Sequence, residues 1–407
     1  MVRRVPSLVL LRLRAHIGLV SFAAIFVVHG AHALFRGPIY SPDTARYEAG
    51  ARLLRSSGLT HTYFDGDNQG VPRICYFLFE ALCAFWQSAL GQSWNWGVVF
   101  TNVAMQAVAG ALLVRLALLA VPGATAACVV LVLWLTCCDL EQWSLYVLSD
   151  ATFVALNVFL LYLYAAPLLS GTAKRSKLNW ALSIIIAAIV LMYRPTAVFL
   201  LAPFAVLPAL FAAMKRTRSL APYVGVACLG FFIVAAFAHA ALMRHPEIWP
   251  FRLARSYINL VAAEYPKGIV VDGRPSTYHM HPSSMVDFFF VTMHKFIAFF
   301  SFAAREFSPI HILLNMAWFV PVYVLAAVGC FEIARASIRR GRAVVTLFLA
   351  LAPLPLAMAT ALTILDYDWR YRAPILPHLV LLAGIGFSRL RDGNANVSLF
   401  SKWSPLR

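Results

Sequence analysis

Long apolar runs alternate with short polar segments along almost the whole chain. Most runs are close to the length of about 20 residues that an α-helix needs to cross the hydrocarbon core of a bilayer. The twelve runs are 16–35, 72–91, 96–119, 123–138, 146–168, 178–192, 195–213, 220–243, 286–303, 309–334, 343–364 and 372–388. The pattern predicts an all-α polytopic membrane protein with a single membrane-embedded domain over residues 1–407 and no soluble domain.

Composition supports this prediction and excludes several classes of protein. Apolar residues make up 61% of the chain and charged residues 13%, whereas a soluble domain is about half apolar and about a quarter charged. The net charge of +17 comes from short basic clusters between apolar runs, which are typical of cytoplasmic loops. There is no basic stripe with interleaved aromatic residues, so no nucleic-acid partner is expected. The seven cysteines form no CxxC pair and are expected to be buried hydrophobes.

Two apolar runs carry charges that a membrane span would bury. The run 72–91 contains Arg73 and Glu80, and the run 286–303 contains Asp287, His294 and Lys295. Each such charge costs about 2.5–3.5 kcal/mol at mid-helix. We therefore predict that both runs are amphipathic helices on the outer membrane surface. This leaves about ten spans and places both termini in the cytoplasm.

This topology separates the charges by side. It assigns 15 of the 17 acidic residues to the extracytoplasmic side and leaves an excess of Lys and Arg on the cytoplasmic side. It also gives two long outer segments, 36–95 and 244–308, and two short ones, 139–146 and 365–371. Because carboxylates carry out acid–base chemistry, we expect an active site on the outer face of the cell membrane, the inner or plasma membrane if the source is bacterial.

The first outer segment opens with the sequence SPDTARYEAGARLL. Ser41 followed by Pro42 predicts the start of a short amphipathic surface helix, and Asp43 lies in its first turn. A carboxylate there interacts favourably with the helix dipole. Two interpretations follow: Asp43 is an ordinary helix-start acid, or it is a general base at the membrane surface.

Three further acids lie close together in the sequence CCDLEQWSLYVLSDATF. Asp139 and Glu141 fall in the second outer segment, and Asp150 follows Ser149 at the start of the next span, where it also suits a helix cap. Any of the three could face Asp43 as a second acid, and the sequence does not decide between them.

Arginines in the outer segments are candidate anion ligands. Arg194-Pro195 lies between two spans and suits either an interfacial anchor or a lipid phosphate. Near the C-terminus, the sequence ILDYDWRYRAPILP places Arg370 and Arg372 on either side of Tyr371. An aromatic belt explains the aromatic residues of this segment, but its two alternating acids, Asp366 and Asp368, and its two arginines favour phosphate binding.

A metal site is not predicted. His279 and His281 lie two residues apart in the second long outer segment, but no cysteine or carboxylate at metal-ligand spacing completes a site. We expect both to be loop histidines. No nucleotide cofactor is expected either, because the chain has no Gly-rich phosphate loop.

Taken in chain order, these motifs resemble the GT-C superfamily of membrane glycosyltransferases, of the protein-mannosyltransferase and aminoarabinose-transferase type. SPDTARYEAGARLL resembles the family's first outer loop, where an aspartate on a surface helix is the catalytic base. The sequence VPRI at 71–74 stands where the family has a basic-proline-proline motif, with Arg73 available in place of its donor-binding lysine. Three later motifs are similar in order: LSD at 148–150, RP at 194–195 and RYRAP at 370–374.

The resemblance implies inverting transfer of a hexose or pentose from a polyprenyl-phosphate sugar to a hydroxyl group on a glycan, lipid or protein. Asp43 would accept the proton of the acceptor hydroxyl, and Asp150 is the second catalytic candidate. Arg370, with Arg194 or Arg73, would hold the leaving phosphate. No divalent metal is predicted.

Three other functions stay open at the level of sequence. They are a transporter or flippase for a lipid-linked sugar, a glycan polymerase or ligase with a lipid-diphosphate donor, and an accessory subunit of a membrane complex. A transporter is disfavoured because the mid-span regions carry almost no charge and no internal repeat is visible.

Overall fold

Across the residues that the structure describes, helices are joined by short turns. The computed structural model describes residues 7–64, 67–68, 71–121, 123–169, 177–194, 196–197, 200–201, 204, 285–303, 307–335, 349, 352–362 and 369–392. The helices are α1 (Ser7–Arg36), α2 (Pro42–Ser57), α3 (His61–Phe64), α4 (Phe77–Leu90), α5 (Trp94–Ala120), α6 (Thr125–Leu135), α7 (Cys138–Leu145), α8 (Asp150–Leu169), α9 (Lys177–Leu191), α10 (Met285–Phe299), α11 (Pro309–Arg335), α12 (Pro353–Leu362) and α13 (Leu376–Asp392). The described residues also include 3-10 turns at Arg73–Cys75, Gly91–Ser93 and Trp369–Ile375, and a two-residue hairpin of Asp67–Asn68 with Val71–Pro72.

Several helical segments are long and apolar enough to cross a membrane. Among the described residues, five stretches meet this criterion: His16–Arg36, Phe77–Ala120 (which comprises α4, the Gly91–Ser93 turn and α5), Asp150–Pro167, Pro309–Phe331 and Arg370–Arg391. A sixth is added if the bent pair α6 and α7 forms one span. The predicted class, an all-α multi-pass membrane protein, is therefore confirmed for the described residues. The total of about ten spans stays a prediction, because the runs 195–213 and 220–243 lie largely or wholly outside them.

Helix α5 is central to the described structure and packs against α1, α4, α6 and α8. Two amides on its buried face reach the backbone around the start of α8. Asn102 Nδ2 donates to Tyr146 O at 3.0 Å, and Gln106 Nε2 donates to Ala151 O at 2.6 Å. Because unpaired carbonyls are costly in an apolar interior, these bonds help to fix where α8 begins.

The predicted surface helix of the run 72–91 is α4, which turns back along α5 instead of extending it. The chain bends at Gly91, whose φ of +56° is easily adopted by glycine. Trp86 Nε1 then donates to Thr101 Oγ1 at 3.0 Å, although a straight helix would separate the two residues by about 22 Å. Gly97 permits this packing, because a Cβ there would overlap the Trp86 ring. That α4 lies on the membrane surface stays a prediction.

The second outer segment is largely helical. The sequence predicts only that 139–146 is short and outside, and most of this segment belongs to α7, which is bent by 50° from α6. Thr136 and Cys137 separate the two helices, and Cys137 has extended backbone angles, φ −76° and ψ 97°. Asp139 and Glu141 then stand in the first turn of α7, where the helix dipole favours carboxylates. The two acids of this segment therefore begin a helix.

The last span also begins later than its apolar run indicates. The run 372–388 predicts a helix from residue 372, whereas Trp369–Ile375 is a 3-10 turn and α13 begins after it. Pro374 has no N–H to donate and restricts the residue before it, which favours an irregular turn at this point. Asn157 Nδ2 of α8 donates to Pro374 O at 2.9 Å. The candidate residues 370–372 therefore lie on a turn that α8 helps to hold.

Glycines allow α11 and α13 to pack through their backbones. A Cβ on Gly386 would overlap Leu325 O, and a Cβ on Gly329 would overlap Leu382 O. Small residues at such positions are what permit close helix packing in a membrane, where van der Waals contact contributes much of the association energy.

We expect Gly386→Ala to destabilise the protein by about 1–3 kcal/mol, because the added methyl group overpacks this contact. Thermal unfolding in detergent measures the change. Gly30→Ala is the matched control, since Gly30 also lies in a helix but a Cβ there meets nothing within 4 Å. Equal behaviour of the two variants would contradict the close approach of α11 and α13.

Candidate active site

The start of α2 is held beside the start of α8. Ser41 N donates to Thr44 Oγ1 at 3.0 Å, closing the first turn of the helix predicted from Ser41-Pro42. Thr44 Oγ1 donates in turn to Val147 O at 3.2 Å. Ile39 N donates to Leu145 O at 2.9 Å, and Val147 N donates to Ile39 O at 3.0 Å. These bonds join the first outer segment to the residues just before α8.

Asp43 is paired with arginines from its own helix and from the far end of the chain. Arg370 Nη1 donates to Asp43 Oδ2 at 2.6 Å, and Arg46 Nη2 lies 3.6 Å from Oδ1. Burial alone would raise the pKa of Asp43, but the charges of Arg370 and Arg46 outweigh burial and hold that pKa below its ordinary value. Asp43 is therefore ionised at neutral pH.

Asp150 forms a second ion pair beside the first. Arg194, which follows α9, donates to the Asp150 carboxylate, and both side chains are almost fully buried. Burial would lower the pKa of Arg194, but the Asp150 charge outweighs it and the pKa is raised. Asp150 is therefore placed to hold Arg194 in position and is enclosed from solvent.

Tyr371 joins the two ion pairs. Its ring centroid lies 5.2 Å from the guanidinium carbon of Arg370 and 5.9 Å from that of Arg194. Both distances are within the range of attraction between a cation and an aromatic face. Arg370 Nη2 also donates to the Tyr371 hydroxyl at 3.3 Å. The structure thus brings together Asp43, Asp150, Arg194, Arg370 and Tyr371, which we call the Asp43 cluster.

Tyr47 lies on the buried side of the Asp43 cluster, although the sequence motifs did not single it out. It is 2% exposed, and its ring centroid lies 5.5 Å from that of Tyr76. Burial raises the pKa of Tyr47, and the charges of Arg194 and Arg46 offset this only in part. Its spacing of four residues from Asp43 puts both on one face of α2, and that spacing was the signal available in the sequence.

Arg73 takes part in a neighbouring polar contact. Its Nη1 lies 3.4 Å from Glu80 Oε2, which also accepts a hydrogen bond of 2.7 Å from the Tyr63 hydroxyl. Glu80 is fully buried against Gly50, where a Cβ would overlap its carboxylate. Glu80 is not among the site residues predicted from the sequence. A charge inside an apolar run is nevertheless a signal of a structural or functional ion pair.

Arg372 and Asp139 form a pair that does not reach Asp43. Arg372 Nη2 donates to Asp139 Oδ2 at 2.9 Å, and both side chains are only 1% exposed. The sequence predicts Arg372 as a phosphate ligand and Asp139 as a second acid, but the structure places both in the interior. Each residue of a 3-10 turn rotates by about 120°, so Arg372 points away from the direction of Arg370.

Glu141 is also directed elsewhere, since it contacts His32 Nδ1 of α1. Of the three acids left open by the sequence, only Asp150 joins the Asp43 cluster. Among the described residues, no group of three His, Cys, Asp or Glu side chains could hold a metal ion. Four residues considered in the sequence lie outside the described residues: His279, His281, Asp366 and Asp368.

The Asp43 cluster combines an accessible carboxylate with an arginine-rich wall. The side chains of Asp43 and Arg370 keep 23% and 17% exposure, whereas Asp150 and Arg194 are buried. An ionised carboxylate can accept a proton, and a guanidinium group binds phosphate oxygens through two parallel donors. The arrangement suits a reaction in which a hydroxyl group loses its proton beside a bound anion.

No protein-family model matches the chain, and no curated protein or solved structure matches it. Support for a function therefore comes from the geometry of the Asp43 cluster and from the order of the sequence motifs.

We expect Asp150→Asn to destabilise the protein by about 3–5 kcal/mol, because it leaves the buried charge of Arg194 without its partner. Denaturant or thermal unfolding in detergent measures the loss. Glu48→Gln is the matched control: it breaks the Glu48–Arg52 pair of 3.6 Å, in which Arg52 is 66% exposed, and such a pair contributes about 0.3–0.5 kcal/mol. A loss no larger than that of the control would count against a buried Asp150–Arg194 pair.

Proposed function

We propose that the chain is a glycosyltransferase that moves a sugar from a polyprenyl-phosphate sugar to a hydroxyl acceptor at the extracytoplasmic face of the cell membrane. The observation that carries the proposal is the contact between Asp43 and Arg370, which are separated by 327 positions in the chain. The order of the sequence motifs makes Asp43 a candidate base and Arg370 a candidate phosphate ligand. Their meeting in one partly exposed cluster is what the GT-C resemblance requires.

The proposed reaction is an inverting displacement. The acceptor oxygen attacks the anomeric carbon and forms the new C–O bond, while the bond from that carbon to the phosphate oxygen breaks. Asp43 accepts the proton of the acceptor hydroxyl. The polyprenyl phosphate leaves with the electron pair, and Arg370 and Arg194 stabilise its growing negative charge.

Arg370 has two roles in this scheme. Without donor, it neutralises Asp43 and keeps the pKa of that carboxyl low, which weakens Asp43 as a base. A donor phosphate competes for the same guanidinium group, which carries several N–H donors in one plane. Donor binding would therefore weaken the ion pair between Arg370 and Asp43 and make the Asp43 carboxylate more basic.

The orientation is proposed from charge. The topology that leaves an excess of Lys and Arg on the cytoplasmic side and 15 of the 17 acids outside is the one in which both termini lie in the cytoplasm. The span Arg370–Arg391, which includes most of α13, supports this orientation. Its Arg370 end belongs to the Asp43 cluster, and Arg389 and Arg391 lie in the last turn of α13 at its other end. Basic residues at that end suit the cytoplasmic surface.

We expect Asp43→Asn to lower sugar transfer by about 10²–10⁴-fold while the protein still folds, because the amide cannot accept the acceptor proton. The assay uses purified protein, a panel of synthetic polyprenyl-phosphate sugars and hydroxyl acceptors. Glu48→Gln, on the same helix, is the control and should keep its activity. Undiminished transfer by Asp43→Asn would refute the assignment. Sugar translocation across proteoliposomes without transfer would identify a flippase instead.

We expect Arg370→Gln to weaken the binding of geranyl monophosphate roughly tenfold or more, since a hydrogen bond to a charged group is lost. Isothermal titration in detergent measures the affinity. Arg52→Gln removes an exposed arginine from α2 and should leave the affinity unchanged. If both variants bind as the unsubstituted protein does, Arg370 is not the phosphate ligand.

A further inference from the structure

We propose that Arg372 and Asp139 form a buried anchor that positions Arg370 against Asp43. We call this pair the Arg372–Asp139 anchor, and Arg372 is its positioning residue. The inference rests on the proposed function only in taking Arg370 to be a residue that binds the donor. The contacts themselves do not depend on that function.

Arg372 ties the Trp369–Ile375 turn to three other parts of the fold. Its Nη2 donates to Asp139 Oδ2 of α7 at 2.9 Å, and its Nη1 donates to the carbonyl of Ser301, just after α10. Its guanidinium carbon lies 3.9 Å from the ring centroid of Phe319 on α11. A planar guanidinium group can make all three contacts at once, whereas a lysine ammonium group cannot.

Stability alone does not explain such a pair. Both side chains are 1% exposed, and a buried ion pair is often no more stabilising than apolar side chains of similar volume. The pair does fix the orientation of the Arg372 side chain, because a bidentate or stacked arginine tolerates only a narrow range of orientations. The anchor therefore sets the rotation of the turn that carries it.

The rotation of this turn decides where Arg370 points. Asn157 Nδ2 donates to Pro374 O at 2.9 Å, so the turn is held at both residue 372 and residue 374. Residues 370 and 371 precede these two fixed points and face the other way, toward Asp43 and Arg194. If Arg372 lost its contacts, the turn could rotate and Arg370 would move away from the Asp43 carboxylate.

The pKa of Asp43 reports the position of Arg370 without any enzyme assay. A nearby cation lowers a carboxyl pKa, so its withdrawal raises that pKa toward the ordinary value. The pKa is measured by a ¹³C NMR titration of protein labelled at aspartate carboxyl carbons, with the Asp43 signal assigned from Asp43→Asn. Arg370→Gln gives the rise that corresponds to complete loss of the contact.

Two variants test the anchor. The double variant Arg372→Met with Asp139→Leu removes both charges, so that neither is left buried alone. Arg372→Lys keeps the charge but loses the fork that reaches Ser301. We expect the double variant to reproduce most of the rise seen in Arg370→Gln, and Arg372→Lys to show a smaller rise. If the double variant does not fold, Arg372→Lys decides.

The matched control is Glu141→Gln, which breaks the contact between α7 and His32 without touching the Trp369–Ile375 turn. It should leave the pKa of Asp43 unchanged. An unchanged pKa in a folded anchor variant would overturn the proposal and leave the pair a merely structural one. Sugar transfer retained by Asp43→Asn, together with the expected titrations, would refute the proposed function and leave the anchor standing.

Discussion

The cost of removing charge from water is the constraint on which this structure depends. A lone ion inside a bundle of apolar helices is strongly unfavourable, so a buried arginine has to meet a carboxylate, a carbonyl or an aromatic face. The buried arginines Arg194 and Arg372 meet Asp150 and Asp139 from positions 44 and 233 residues away. These pairs determine which parts of the chain come together, while apolar packing accounts for the bulk of the core.

Three of the ion pairs differ in how deeply they are buried, and this difference determines which charged groups a substrate can reach. The deepest pair, Arg372 with Asp139, is closed to solvent, and the Asp150–Arg194 pair is nearly so. Of these three pairs, Asp43 with Arg370 keeps the greatest exposure, 23% and 17%. Reactive groups are most effective when an inner layer of packed or hydrogen-bonded residues restricts them, and the inner pairs supply such a layer here.

Much of the helical pattern could be predicted because bilayer thickness fixes span length and because Ser41-Pro42 is a clear helix start. The pairing of the charges could not. Whether Arg370 or Arg372 reaches Asp43 depends on the rotation of one 3-10 turn, and Asp139 pairs with Arg372 because α7 is packed beside that turn. Periodicity and spacing describe single elements, whereas these contacts arise between elements that are distant in sequence.

The bonds between Ile39 and the residues just before α8 limit where residues can be inserted or deleted in this chain. They give the first and second outer segments a shared backbone register. A residue inserted or deleted between Ile39 and Thr44, or between Leu145 and Val147, would shift Thr44 relative to its acceptor Val147 and displace Asp43 from its arginines. The lengths of these two short stretches, although about 100 positions apart, therefore constrain each other during evolution.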